Sequence, residues 1–220
     1  CESINLSAGR NNTMRGRFIT LEGVEGSGKT TNLEYLCETL KEKNVSFIKT
    51  REPGGTELAE AIREAMLAKW QEEITGLTEV LLVFAAREQH LKNVIRPNLE
   101  RGTWVVCDRF TDSTLAYQHY GMGISKKIIE NINKHLLKKI KINFTFLNIV
   151  NEKNLKKRLF KRKRLNRYDK FKHTFYKKVQ KGFIHQAKQN SNKYLIVNSN
   201  IKIEDNKRII INKINKILDI

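Results

Sequence analysis

A run of eight residues near the N-terminus limits what this chain can fold into more than any other feature. Gly23-Val24-Glu25-Gly26-Ser27-Gly28-Lys29-Thr30 has the spacing G-x-x-x-x-G-K-[ST]. It follows Phe18-Ile19-Thr20-Leu21-Glu22, which reads as a short buried strand. It opens a segment from Lys29 to about Lys43 whose Leu33, Leu36, Cys37 and Leu40 fall on one helical face. Strand, glycine loop and helix in that order make a cradle for phosphate. Glycines let backbone N–H groups turn inward, and the helix N-terminus adds about half a positive charge. In such a cradle Lys29 reaches the β- and γ-phosphates and Thr30 offers its hydroxyl to Mg²⁺. The expected ligand is a nucleoside triphosphate, held by residues 23 to 30.

The rest of the chain keeps alternating. Val45–Thr50 reads as a strand, ended by Arg51-Glu52-Pro53-Gly54-Gly55, where proline and two glycines force a tight loop. Glu57 to about Lys69 reads as a helix, and Leu77–Glu100 as a long one, interrupted late by Pro97 and stopped by Gly102. Thr103–Cys107 is a strand pattern, followed at once by Asp108-Arg109. Helices are expected at about Thr111–Tyr120 and Ser125–Lys138, a strand at Ile142–Ile149, and a basic helix from Glu152 to about Lys163. A helix from Tyr168 to Gln189, a strand at Tyr194–Val197 and a helix from Glu204 to Leu218 complete the pattern. This alternation predicts an α/β chain: a single-domain P-loop NTPase fold with a five-stranded parallel sheet covered on both faces. Its 220 residues suit one such domain. Right-handed crossovers gather the loops that follow the strands on one edge. Cys1 to Thr13 precedes Met14 and the first strand, lacks the pattern of a signal peptide, and reads as a disordered or non-native leader.

Charge and cysteines narrow the classes. Lys and Arg number 42 against 23 Asp and Glu, a formal charge of +19, so an anionic partner is expected. Eleven of the cations lie between Lys153 and Lys172, with Asp169 as the sole acid among them. A basic second half that binds nucleic acid is one alternative. It is disfavoured because no aromatic-interleaved stacking surface or reading motif accompanies the charge. No run approaches the roughly 18–20 apolar residues of a membrane span. Three well-separated cysteines suggest neither a metal site nor a disulfide framework, which fits a reduced, cytoplasmic setting. A GTPase would carry an N-K-x-D-type guanine motif, and Asn133-Lys134-His135-Leu136 fails that test. A small P-loop chain with a second anion-binding region points to a nucleotide or nucleoside kinase.

Arg51 and Arg109 fall just past strand ends, and Arg87 interrupts an apolar helix stretch. Arginine suits a phosphate because its planar fork bonds bidentately and stays charged. Asp108, directly after a buried strand, suits an acid that positions Mg²⁺ through water.

Together, the P-loop, Thr50-Arg51-Glu52-Pro53-Gly54-Gly55-Thr56, Ala85-Ala86-Arg87, Asp108-Arg109-Phe110, Ser113-Thr114 and Ala116-Tyr117-Gln118 resemble the bacterial thymidylate kinase family. The likeness runs in order from about Met14 to Gly123 and weakens beyond. It implies transfer of the γ-phosphate of ATP to dTMP, giving dTDP and ADP. It implies that Glu25 faces the deoxyribose, that Arg109 binds the acceptor phosphate and Arg87 the thymine, and that Thr114, Tyr117 and Gln118 line the acceptor site together with Arg51, Pro53, Val83 and Phe84. It implies a cis bond before Pro53, in the loop that carries Arg51, and a homodimer through apolar helix faces. With glycine at Gly26, it implies a catalytic arginine from a mobile lid at about 158–169: Arg167 first, with Arg158 and Arg162 after it.

Two positions depart from the family pattern. An aromatic residue four before Arg87 would stack on thymine; Val83 stands there and Phe84 follows. One residue is about 100° of helix, so either the stacking is lost or the helix rotates. The fourth strand ends in Leu147-Asn148-Ile149, where an Asp is usual, which removes a charge near the nucleotide edge. A deoxynucleoside kinase remains an alternative, but it would need a base for a neutral hydroxyl. A monophosphate oxygen is already largely anionic at neutral pH, with a second pKa of about 6, and needs none.

Overall fold

Phe18–Glu22 forms strand β1, and all of its residues are buried. Ile19 and Leu21 face one side of the sheet and Phe18 the other. An apolar run is needed there because a central parallel strand is covered on both faces. The remaining elements follow in chain order: α1 (Lys29–Glu42), β2 (Phe47–Arg51), α2 (Glu57–Leu67), α3 (Gly76–His90), α4 (Arg96–Glu100), β3 (Trp104–Asp108), α5 (Thr111–Thr114) and α6 (Lys126–Leu137). After these come β4 (Phe144–Ile149), α7 (Glu152–Phe160), α8 (His173–Gln189), β5 (Tyr194–Asn198) and α9 (Ile203–Leu218). The computed structural model describes residues 16–138, 140–160 and 167–218. The expected leader at 1–13, Arg162 and the middle of the expected lid lie outside the described residues.

The five strands form one parallel sheet in the order β2-β3-β1-β4-β5. β1 pairs with β3 from Phe18 opposite Val105 and with β4 from Ile19 opposite Phe144. The chain therefore leaves β1 toward one edge and later returns to build the other. The loop after β1 sits where the strand order reverses, the position at which ligands bind in open α/β sheets.

Two layers cover the sheet. On one face Leu33, Leu36 and Leu40 of α1 and Ile210, Ile214 and Ile217 of α9 meet Leu21, Val106 and Phe146. On the other, Leu91, Ile95 and Leu99 cover Phe18, Val105 and Cys107, while Val179 and Phe183 of α8 cover Leu147. The strand and helix alternation matches the sequence reading, with changes inside three helices. The long helix expected over Leu77–Glu100 contains a π turn at Leu91–Ile95, so Pro97 falls in the first turn of α4, where its missing N–H costs little. The helix expected at Thr111–Tyr120 is α only through Thr114 and winds as π from Leu115 to Gly121. The helix expected from Tyr168 starts at His173, behind a 3₁₀ turn at Arg167–Lys170. Threonines close two starts: Thr56 accepts from Ala59 N–H at the head of α2, and Thr75 from Thr78 N–H at the head of α3.

Candidate active site

The loop after β1 is built by close approach. A Cβ on Gly23 would lie 2.3 Å from the carbonyl oxygen of Asn148, so only glycine lets the chain turn there, at φ 137°. Asn148 is itself buried and accepts a hydrogen bond from the Asn32 amide. The departure at the end of β4 thus ties the first helix to the sheet through a neutral pair. Lys29 is buried at the start of α1, and its Nζ donates to the carbonyls of Gly23 (2.9 Å) and Val24 (3.0 Å). Burial, and then the nearby Arg109 cation, hold its pKa down to about 8. Thr30 is exposed toward the cavity.

That cavity has a volume of about 700 Å³ and runs from the P-loop to the loops after β2 and β3. Its size suits a small-molecule ligand. Arg109 lines the cavity directly after β3, in the left-handed region at φ 69°. For a non-glycine residue this is uncommon, and such conformations gather at functional sites. Its guanidinium donates to Glu25 Oε1 (3.0 Å), Ser113 Oγ (3.0 Å) and the Tyr117 hydroxyl (3.2 Å). The Tyr117 hydroxyl in turn donates to Glu25 Oε2. Burial opposes the charge on Arg109, but Tyr117 and the carboxylates of Glu25, Asp108 and Glu22 outweigh it and hold its pKa above the ordinary guanidinium value. Burial pushes the Glu25 pKa up, and Arg109 followed by Lys29 brings it below the usual range. The result is a fixed cation held against the P-loop through Glu25 at the cavity wall.

Arg87 reaches the same cavity from α3 but is fully buried. Its Nε donates to Glu52 Oε2 (2.7 Å) and its Nη2 to Thr114 Oγ1 (2.9 Å), and its guanidinium lies 5.0 Å from the centre of the Phe110 ring. Glu52 also meets His90 Nδ1 at 3.1 Å and precedes the cis bond to Pro53. Arg87, Pro53, Thr114, Tyr117 and Gln118 all line the cavity, and Val83 lines it as well. Phe84, which the sequence places in the acceptor site, packs instead with Val80 and Ile129. The helix has therefore not rotated, and the stacking position carries an aliphatic side chain. Arg51 also lies away from the cavity wall, half-exposed and paired with Glu60 at 2.6 Å.

Of the lid cations, Arg158 comes to the P-loop. It donates to the Gly26 carbonyl (2.9 Å) and the Ser199 carbonyl (2.8 Å). Arg167, ranked first from sequence, turns away: it pairs with buried Glu79 and donates to the Met66 carbonyl (3.0 Å). Glu79 also accepts from the Tyr168 hydroxyl (2.7 Å) and Gln118 Nε2 (2.6 Å). A buried carboxylate outcompetes solvent for a guanidinium, which is why Arg167 sits there.

Arg63, Glu52 and Glu79 were not singled out by the sequence reading. Arg63 lines the cavity and donates to the Pro53 carbonyl (3.0 Å). A signal was present, since Arg63 falls on the α2 stripe that buries Ala59 and Met66. Asp108 lines the cavity too, and its Oδ1 is buried with no hydrogen-bond partner among the described residues. An orphaned carboxylate oxygen in the cavity that Thr30 also lines fits a hard cation held mainly by phosphate oxygens.

Comparison with known proteins agrees with this geometry. Residues 21–210 match the family model described as thymidylate kinase. A thymidylate kinase of Hahella chejuensis is 40% identical over 191 residues, 87% of this chain and 92% of that protein. One from Pseudomonas fluorescens is 44% identical over 186 residues, 84% of this chain and 89% of that protein. The crystal structure of thymidylate kinase from Ehrlichia chaffeensis superposes with a TM-score of 0.72 at 32% identity, covering 93% of this chain and 99% of that one. With a P-loop and an arginine clamp sharing one cavity, and with matches spanning most of its length, the chain belongs to the thymidylate kinase family.

Proposed function

We propose that this chain transfers the γ-phosphate of ATP to dTMP, forming dTDP and ADP, as a cytoplasmic, Mg²⁺-dependent homodimer. The observation that carries the reading is the shared cavity, lined both by Lys29 of the P-loop and by the Arg109–Glu25–Tyr117 cluster. Two anions must meet in line, so the barrier is largely electrostatic. Lys29 exchanges its two loop carbonyls for phosphate oxygens. Arg109 holds the acceptor phosphate, and Glu25 with Tyr117 faces the sugar. Arg87 and Gln118 offer donors to the base beside Val83. Thr30 and Asp108 would hold Mg²⁺, which supplies neutralisation of the developing phosphate charge. Arg158 is the lid-side cation for the transferring group, because it already bonds the P-loop at Gly26. The attacking oxygen is anionic, so no side chain needs to act as a base.

The dimer face falls to α2, α3 and α6, which pack together and expose Leu58, Leu77, Leu81 and Ile128. A coupled assay of ADP release across dTMP, dUMP, dCMP and thymidine tests the reaction. The expected order places dTMP first and thymidine near background. Turnover of thymidine equal to dTMP would remove the need for Arg109 as an anion clamp and sink the assignment.

A further inference from the structure

The last residue of β1 is a glutamate in a place that calls for an apolar side chain. Glu22 is 1% exposed, in a strand otherwise made of Phe, Ile, Thr and Leu. A carboxylate buried on all sides is costly unless its oxygens are used. Both are used, and both go to donors that flank the same residue. Oε1 accepts from the Phe110 backbone N–H at 2.8 Å, immediately after Arg109. Oε2 accepts from the Ser113 hydroxyl at 2.6 Å, and that same oxygen of Ser113 accepts from Arg109 Nη1 at 3.0 Å. On the other side of the turn, the Arg109 N–H donates to the Leu21 carbonyl at 2.9 Å, so the end of β1 grips the left-handed turn from both directions.

We propose that Glu22 is a positioning residue for the acceptor clamp, holding the Arg109 turn through Phe110 N–H and aiming the guanidinium through the Ser113 hydroxyl. Because Ser113 gives its proton to Glu22, its lone pairs are left to receive Arg109. The guanidinium is then held by Nη1 on Ser113 and by Nη2 on Glu25 and Tyr117, at a cavity that Arg109 itself lines. Asp112, the next buried carboxylate, bonds the Tyr194 hydroxyl at 2.6 Å and serves a different contact. The proposal rests on reading Arg109 as the acceptor-phosphate ligand, and its test separates the two claims.

The measurement is calorimetric binding of dTMP alone and of ATP alone to full-length wild type, Glu22→Gln, Ser113→Ala, Arg109→Ala and the Glu22→Gln/Arg109→Ala double variant. Glutamine keeps the shape but can accept from only one of the two donors. Glu22→Gln is expected to weaken dTMP binding about tenfold, the loss of one hydrogen bond to a charged group, and to change ATP binding less than about twofold. In the Arg109→Ala background it is expected to add no further loss for dTMP. Equal weakening of both ligands, or full additivity in the double variant, overturns the proposal, since either would make Glu22 a general prop for the fold. Should Glu22→Gln not accumulate as folded protein, Ser113→Ala carries the test with the same ligand split expected. Arg109→Ala that binds dTMP normally sinks the clamp reading itself, whatever Glu22 does.

Discussion

At the level of single residues, three side chains invite direct tests. Arg158 reaches the P-loop carbonyl of Gly26 while Arg167 is committed to Glu79. Arg158→Ala should lower kcat about 10²–10³-fold with dTMP affinity little changed, the usual scale for removing one charge-stabilising donor. Arg167→Ala should act mainly on stability; a comparable loss of kcat in Arg167→Ala alone would reverse the two roles. Val83 is 7% exposed at the cavity wall. Val83→Phe puts a ring where the base would lie and should lower the KM for dTMP about two- to tenfold, the worth of an aromatic stacking contact. An unchanged KM would mean that the base does not reach this wall.

At the level of elements, the chain after α5 winds as a π turn from Leu115 to Gly121 and brings Tyr117 and Gln118 to the cavity beside Ser113 and Thr114. Apolar period alone could not reveal this, because a helix seven residues long gives too few turns to distinguish the wider winding. The turn is braced by α8, where Gly182 lets Tyr120 close in: a Cβ at 182 would lie 2.6 Å from the ring and 2.9 Å from Tyr120 Cβ. Alanine there gains roughly 1 kcal/mol of helix propensity. The clash involves the root of the ring, which cannot swing away, and overpacking of this kind costs about 1–3 kcal/mol. Gly182→Ala should therefore lower Tm by a few degrees and raise the KM for dTMP, since the turn that carries Tyr117 must shift. A raised Tm would show that α8 gives way instead.

For the whole molecule, the net charge of +19 and the exposed leucines are separate features with separate uses. On the proposed function, the charge would favour encounter with polyanionic nucleotides, and the leucines would serve the proposed contact with a second copy. Leu81 is 57% exposed on α3. Leu81→Glu should shift sedimentation from dimer to monomer; a wild-type protein that sediments as a monomer at micromolar concentration would contradict the dimer outright. Sequence alone determined the phosphate cradle, the α/β alternation and the family resemblance, because each depends on spacing along a few consecutive residues. Tertiary structure alone decided that β1 lies between β3 and β4, that Val83 rather than Phe84 meets the cavity, and that Arg63 joins it. It also decided that Arg158 and not Arg167 stands at the P-loop. The physical reason is reach: Arg167 is drawn to Glu79, 88 residues away in the chain, and Glu22 to Ser113, 91 residues away. Such pairings follow from how the sheet brings distant segments together, and local periodicity contains no trace of them.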